Sequence, residues 1–480
     1  METTKKSCRT KIIATIGPAC QDDKHLLELM DRGVDIFRFN FSHGNNHEKA
    51  EQIECIRFLA EKKNKIIGVL ADLQGPKIRT GILKNNELSV IPGQDVILTS
   101  NMETEQLDTV PVNYQGLAGD VTPGESIFID DGSIELQIME VNGPEVLCKV
   151  LTGGTIRNHK GINLPNTNIS TSPVTDKDYR DIDFVLAHDF DFLALSFVRH
   201  ASDIILLRNL LSQKSSFIKV IAKIERPEAV ENFQNILTEA DGIMIARGDL
   251  GVEMRPEKVP LIQKELIRRC NKARKPVITA TQMLESMIEK SMPTRAETSD
   301  VANAILDGTD AVMLSGETAV GKYPAEAVAV LTRIALEVES KKISNDSCKP
   351  LFQYNNKQST TPEAIGRAAC QVAHEIRAGA IIAFTRTGST AALVSKKRPI
   401  TPIFAITPFE RVQRQLTIFY GIRSLLVEIA ENTESLIAAT EKLLLDQRIL
   451  EKGNAVVITM GSPVSSPGTT NLVKVHELGE

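Results

Sequence analysis

Lys219-Val220-Ile221-Ala222-Lys223-Ile224-Glu225 and Gly242-Ile243-Met244-Ile245-Ala246-Arg247-Gly248-Asp249 are two short apolar runs that each end in charged residues. Packing gives an apolar strand no reason to end that way, so the charges point to a use. Apolar runs that end in polar residues recur at 10–17, 35–42, 66–74, 192–197, 276–282 and 311–317, making eight in all. Each is followed, directly or after an insertion, by a segment of helical periodicity. Strand–helix alternation implies a parallel sheet, and eight units predict a closed (β/α)8 TIM barrel of the α/β class. The carboxyl ends of its strands converge on one mouth, where chemistry collects. Arg38 and Asn40, Asp72, Lys223 and Glu225, Arg247 and Asp249, Thr279 and Thr281, and Ser315 and Glu317 would gather there. Several of these are two residues apart, which places both side chains on one face of a strand.

The alternation divides the chain. The barrel is expected over residues 1–76 and 171–343. Between them, 77–170 shows short alternating strands at 87–91, 96–99, 126–129, 134–141 and 146–151, separated by turns such as Pro92-Gly93, Pro123-Gly124 and Asp131-Gly132. That reads as a small inserted β-barrel domain, hung over the mouth as a lid that could exclude water. A helix at 324–342 leads into a polar linker at 344–361. A C-terminal α/β domain over 344–480 follows, with apolar strands at 380–384, 402–406 and 455–459.

Composition excludes some partners. The 480 residues carry a net charge of -5, which argues against nucleic acid or an anionic membrane as the main partner. The seven cysteines are scattered without zinc or redox spacing, as befits a reducing cytoplasm. No signal peptide is legible, and no apolar run approaches the roughly 20 residues of a membrane-spanning helix.

Glu225 and Asp249 end adjacent strands, so both carboxylates could hold one hard divalent cation; Mg²⁺ takes one or two carboxylates and fills its remaining positions with water and substrate oxygens. The competing reading pairs Glu225 with Lys223 and Asp249 with Arg247 as structural ion pairs. Repetition on neighbouring strands favours the metal. Gly248 would let a ligand approach the backbone. Lys223 and Arg38 could neutralise charge developing on a phosphoryl group or an enolate, and Thr281 and Ser315 could position water or pass protons. No phosphate loop of the GxxxxGK[ST] kind is present, and no serine or cysteine nucleophile sits beside a histidine in a known motif.

Several segments closely resemble those of the pyruvate kinase family. They include 10–18 (TKIIATIGP), 38–44 (RFNFSHG), 75–81 (GPKIRTG), 160–165 (KGINLP), 246–251 (ARGDLG), 280–287 (ATQMLESM), 293–297 (PTRAE) and 313–318 (MLSGET). The resemblance implies phosphoryl transfer from phosphoenolpyruvate to ADP, giving pyruvate and ATP. It assigns Glu225 and Asp249 to Mg²⁺, Lys223 to the moving phosphoryl group and enolate oxygen, Thr281 to substrate near the protonated carbon, and Ser315 to the proton path. Arg38, Asn40, Arg79 and Lys160 resemble the nucleotide and phosphate contacts. Asn40, Ser42, Asp72 and the Leu73 backbone match a K⁺ position. Lys77 stands where many members carry glutamate, which resembles the K⁺-independent branch.

The resemblance further implies a homotetramer and a phosphorylated effector bound at Thr385, Arg386, Thr387, Gly388, Ser389 and Thr390, where helix capping would explain the same residues. The loop 460–470 lacks the arginine that fructose 1,6-bisphosphate-responsive members use. Two other readings remain: a Mg²⁺-dependent barrel lyase acting on a 2-oxo acid, and a silent metabolite sensor. The lyase would have little need of the lid, and the sensor would be expected to lack Lys223, Glu225 or Asp249.

Overall fold

Eight parallel strands, Lys11–Thr15, Ile36–Asn40, Gly68–Asp72, Phe192–Leu195, Lys219–Ile224, Gly242–Ala246, Val277–Ala280 and Ala311–Leu314, close into a barrel in which the first pairs with the last. Each lies within one of the eight runs read from the sequence. The computed structural model describes residues 8–102, 106–165, 167, 169–345, 359–428, 432–462 and 470–479. Most of the expected linker and of the loop 460–470 lies outside the described residues. The strands are mostly apolar because both faces are covered, with polar residues concentrated toward their ends. Ile13, Leu70, Phe192, Ile221 and Met244 fill the barrel, with Ile418 of the C-terminal region joining them, and an outer core packs against the helices. Register sets Asn40 beside Asp72, which brings these two polar strand ends level, and sets Lys223 beside Met244, two residues short of the end of the next strand.

The insert follows the third barrel strand. Its strands form a six-stranded sheet in the order Ile162–Asn163, Ser126–Ile129, Ile134–Asn142, Glu145–Thr152, Asp95–Thr99 and Thr109–Pro111, and a separate ladder of Glu87–Val90 with Gly154–Arg157. Val96, Leu98, Ile127, Leu136 and Cys148 give it a core of its own. The strands at 109–111, 154–157 and 162–163 were not expected, because runs this short show too little alternation to be read.

The C-terminal sheet runs Ile422–Leu426, Ile403–Thr407, Ala380–Phe384, Ala455–Met460 and Leu472–Glu477, and only the last pairing is antiparallel. Its three inner strands match the expected ones. The two edges escaped notice since half-exposed strands carry mixed residues. This sheet's helices dock under the barrel through buried charges. Lys396 pairs with Asp310, both side chains almost wholly buried, and Arg414 Nε donates to Asp191 Oδ1 at 2.8 Å. Burial pushes the Lys396 pKa down and Asp310 pulls it back. Lys396→Met, which strands Asp310, is expected to cost about 3–5 kcal/mol, read as a lower urea midpoint. Among the described residues, no helix is long and apolar enough to cross a membrane.

Candidate active site

Lys223, at the end of the fifth barrel strand, sits between two carboxylates. Its Nζ lies 2.7 Å from Glu225 Oε1 and 3.2 Å from Asp72 Oδ1, and it donates to Ser196 Oγ at 2.7 Å. Arg38 completes the row: Nε donates to Asp72 Oδ2 at 2.7 Å and Nη1 to Thr15 Oγ1 at 3.0 Å. Strands one, two, three and five each supply one member, and all of these side chains are buried. Burial opposes the charge on Lys223, but Asp72, Glu225 and Asp249 outweigh it and hold the ammonium above its ordinary pKa. Burial likewise opposes the charge on Asp72, and there Lys223 and Arg38 prevail, holding it below the usual carboxylate range. Lys223 and Asp72 therefore each favour the charged form of the other, and their hydrogen bonds fix both in place.

Asp249 lies in the first turn of the short helix Arg247–Glu253, beside the end of the sixth strand. The paired-ion reading holds for Lys223 and Glu225 and fails for Arg247. Arg247 Nη1 donates to Asp300 Oδ2 at 2.6 Å, and Nη2 to the carbonyls of Thr281 and Gln282 at 2.8 and 3.0 Å. Asp249 is left with no hydrogen-bond or ion-pair partner among the described residues. Burial pushes Glu225 above the carboxylate range; Lys223 pulls it down and the like charge of Asp249 pushes it further up. Two carboxylates crowding one another, one of them unpartnered, form a donor set that suits a hard cation drawing its other ligands from substrate and water. No cluster of three or more His, Cys, Asp or Glu residues placed to hold a metal occurs among the described residues. A pair is what a substrate-completed Mg²⁺ site needs.

Thr281 and Gln282 have φ of 66° and 55°, a left-handed conformation that a β-branched residue adopts only when held. The Arg247 guanidinium holds it. Thr281 Oγ1 accepts from Gly248 N–H at 2.7 Å and donates to Ala280 O at 2.6 Å, so the hydroxyl faces the start of the Asp249 helix. The Ser315 backbone N–H donates to Glu317 Oε2 at 2.7 Å, while Ser315 Oγ is buried without a partner, poised for a ligand or water. The Thr279 hydroxyl bonds Thr309 and Glu317 clamps backbone, so both are structural.

Cations converge on the other side of the mouth. The His43 pKa is lowered first by its own burial, then by Arg79, Lys77, Arg38 and Lys49 around it. Arg79 Nη1 donates to His159 O at 2.8 Å, and Lys160 Nζ pairs with Asp130 at 2.9 Å, both on the insert side of the cleft. Asn40 Oδ1 accepts from Ser42 N–H at 3.0 Å and Leu73 O from Ser196 Oγ at 2.7 Å. The Lys77 ammonium has no partner among the described residues and lines the cleft with Asp131 of the insert and Asp249 of the barrel.

The family description "Pyruvate kinase, barrel domain" matches residues 7–328 and "Pyruvate kinase, alpha/beta domain" matches 363–476. The chain belongs to the pyruvate kinase family. A pyruvate kinase of Staphylococcus epidermidis is 42% identical over 478 residues, covering 98% of this chain and 81% of the relative, and one of Staphylococcus aureus is 41% identical over the same span. A solved pyruvate kinase of Cryptosporidium parvum superposes with a TM-score of 0.90 at 38% identity, covering 98% of this chain and 96% of its own. The chain is accordingly a phosphotransferase, of a family that generally uses Mg²⁺.

Within this pyruvate kinase fold, the C-terminal loop 385–390 is tightly self-bonded. Gly388, at φ 90°, donates to Thr385 Oγ1 at 2.9 Å, Thr387 Oγ1 to Ser389 Oγ at 3.2 Å, and Thr390 meets Thr470 at 2.9 Å. Arg386 lies over the Phe409 ring at 5.9 Å. Thr387, Gly388 and Ser389 also border a cavity of about 270 Å³ against Phe192 and Lys219 at the barrel's amino end. Sequence reasoning missed Ser196, which bridges Lys223, Asp72 and Leu73. Its signal was the same one, a polar residue closing an apolar run. It also missed Thr15, Arg226 and Glu253, whose partners come from distant segments.

Proposed function

We propose that this chain transfers the phosphoryl group of phosphoenolpyruvate to ADP, breaking the phosphate–enol oxygen bond, forming a new bond to the ADP β-phosphate, and protonating the released enolate to pyruvate. The observation that carries this reading is the fixed ammonium of Lys223 between Asp72 and Glu225, next to the unpartnered Asp249. Phosphoryl transfer chiefly demands positioning and charge stabilisation, which this array supplies. Glu225 and Asp249 would hold Mg²⁺, which when bound neutralises phosphoryl and carboxylate oxygens. Lys223 stabilises the moving group and the enolate oxygen. The Gly248 backbone leaves room for the substrate carboxylate, and Thr281 and Ser315 order the proton path to the enolate carbon. Arg38, Asn40, Arg79 and Lys160 orient the nucleotide phosphates, Lys160 from the lid formed by 77–170. The barrel at 1–76 and 171–343 and the domain at 344–480 complete the division of labour.

The deciding assay is pyruvate formation from phosphoenolpyruvate, coupled to lactate dehydrogenase. The proposal expects strict dependence on ADP and Mg²⁺; pyruvate released from phosphoenolpyruvate without ADP would mark a hydrolase, and no ADP-dependent pyruvate at all would leave the lyase reading, and either result refutes it. The same titration, run with AMP, ribose 5-phosphate, glucose 6-phosphate and fructose 1,6-bisphosphate, tests the effector loop 385–390, and sedimentation tests the tetramer. Free thiols at all six described cysteines support a cytoplasmic setting.

K⁺ independence belongs to the same proposal. It is supported by the unpartnered Lys77 ammonium in the cleft, a tethered charge that can substitute for a mobile one. Full activity is expected in potassium-free buffer, and Lys77→Glu is expected to make activity depend on K⁺ by about tenfold, roughly the 1.4 kcal/mol of one decade. Stimulation of the unmodified enzyme by K⁺ to a similar degree would remove the idea.

A further inference from the structure

Two buried groups beside the candidate metal carboxylates take no part in the chemistry above. Glu253 ends the helix that carries Asp249, four residues on and one turn along the same face. It is 4% exposed. Oε1 accepts from Asn163 Nδ2 of the insert at 2.7 Å, and Oε2 is buried with no hydrogen bond, its nearest cation being Arg226 Nη2 at 3.8 Å. Arg226 directly follows Glu225 in the chain and is 3% exposed. Its Nη2 donates to Leu164 O at 3.0 Å and Thr167 O at 3.3 Å, both on the segment that leads out of the insert, and to Glu228 at 3.2 Å. Leu164 belongs to the insert's own core. Each candidate metal carboxylate is thus tied, through its neighbour in the chain or along the helix, to the root of the lid.

We propose that Asn163, Glu253 and Arg226 form a latch through which the seating of the insert sets the spacing of Glu225 and Asp249. These are positioning residues, and the inference rests on the proposed kinase reading. A lid anchored only by its covalent crossings could swing without disturbing the barrel. One that grips the Asp249 helix and the residue after Glu225 transmits its position to both carboxylates. Groups that orient metal ligands from behind typically change affinity or activity 10–100-fold when lost. Burial raises the Glu253 pKa while Arg226 and Asn163 pull it back, in keeping with a carboxylate held in place by these two partners.

The test uses the full chain and Mn²⁺ as the probe, with free Mn²⁺ read by electron paramagnetic resonance in the absence of substrate, and amide exchange over residues 160–165. Asn163 is half-buried on the insert, so Asn163→Ala removes the grip with little risk to folding. It is expected to weaken Mn²⁺ binding about tenfold, in the range for such supports, to raise the Mg²⁺ needed for half-maximal turnover in parallel, and to speed exchange over 160–165. Glu253→Gln keeps an acceptor for Asn163 and should fall between this variant and the parent. Combining Asn163→Ala with Glu253→Ala should add nothing beyond the larger single effect. Unchanged Mn²⁺ affinity in Asn163→Ala, or additive losses in the double variant, would overturn the latch while leaving the kinase reading intact. Failure of the unmodified chain to bind Mn²⁺ even with phosphoenolpyruvate present would overturn both.

Discussion

Lys223→Met is expected to lower kcat by about 100- to 1000-fold, the range lost when one preorganised charge donor is removed from an active site. The side chain keeps nearly the same length, so packing is largely kept, but the ammonium between Asp72 and Glu225 is gone and the buried ion pairs it makes are lost, at about 3–5 kcal/mol of stability. Asp72 retains Arg38 at 2.7 Å, whereas Glu225 retains, among the described residues, the Phe197 N–H at 2.6 Å. Two consequences separate catalysis from folding. Phosphoenolpyruvate should still bind, because Arg38 and the backbone at Gly248 remain, so most of the loss should appear in kcat rather than KM. Lys223→Arg should fail to restore turnover, since a planar guanidinium cannot place a point charge where the ammonium sits. Steady-state rates with ADP and phosphoenolpyruvate decide it: a loss under about tenfold would show that Lys223 balances Asp72 and Glu225 without acting on the reaction.

The barrel was legible because a parallel strand covered on both faces is apolar to its end, so a charge there stands out. All eight runs, read from their apolar stretch, polar ends and the helical segment that follows, became strands. Pairing was not legible. Arg247 looked like a partner for Asp249 two residues away, yet its guanidinium reaches Asp300, 53 residues later on a different helix. Side chains two apart on a strand share a face, but the chain turns into a helix at Arg247, and that change of period sends the two groups in different directions. The result is what leaves Asp249 free. Glu253 was invisible for a related reason: a glutamate at a helix end reads as a solvated charge until the insert is seen to cover it. The edge strands of the C-terminal sheet and the insert strands at 109–111, 154–157 and 162–163 were too short or too mixed in composition to show countable alternation.

Asp249→Asn and Glu225→Gln make the second large test, and their value lies in how they should differ. Both remove one of the two carboxylates held to bind Mg²⁺, so each is expected to cut turnover at fixed Mg²⁺ by about 100-fold or more, at least as much as loss of a supporting group costs. Raising Mg²⁺ should recover part of the loss in each. Stability should separate them. Glu225 is 1% exposed and paired with Lys223 at 2.7 Å, so neutralising it breaks a buried ion pair and should lower stability by about 3–5 kcal/mol. Asp249 has no such partner; its charge presses on Glu225 but favours the Lys223 ammonium, so neutralising it should leave the unfolding midpoint nearly unchanged. A group that the fold does not need, yet whose charge the reaction cannot do without, is present for a ligand. Were Asp249→Asn to unfold the chain as readily as Glu225→Gln while retaining turnover, the carboxylate pair would be scaffolding, and the cation would have to be held elsewhere.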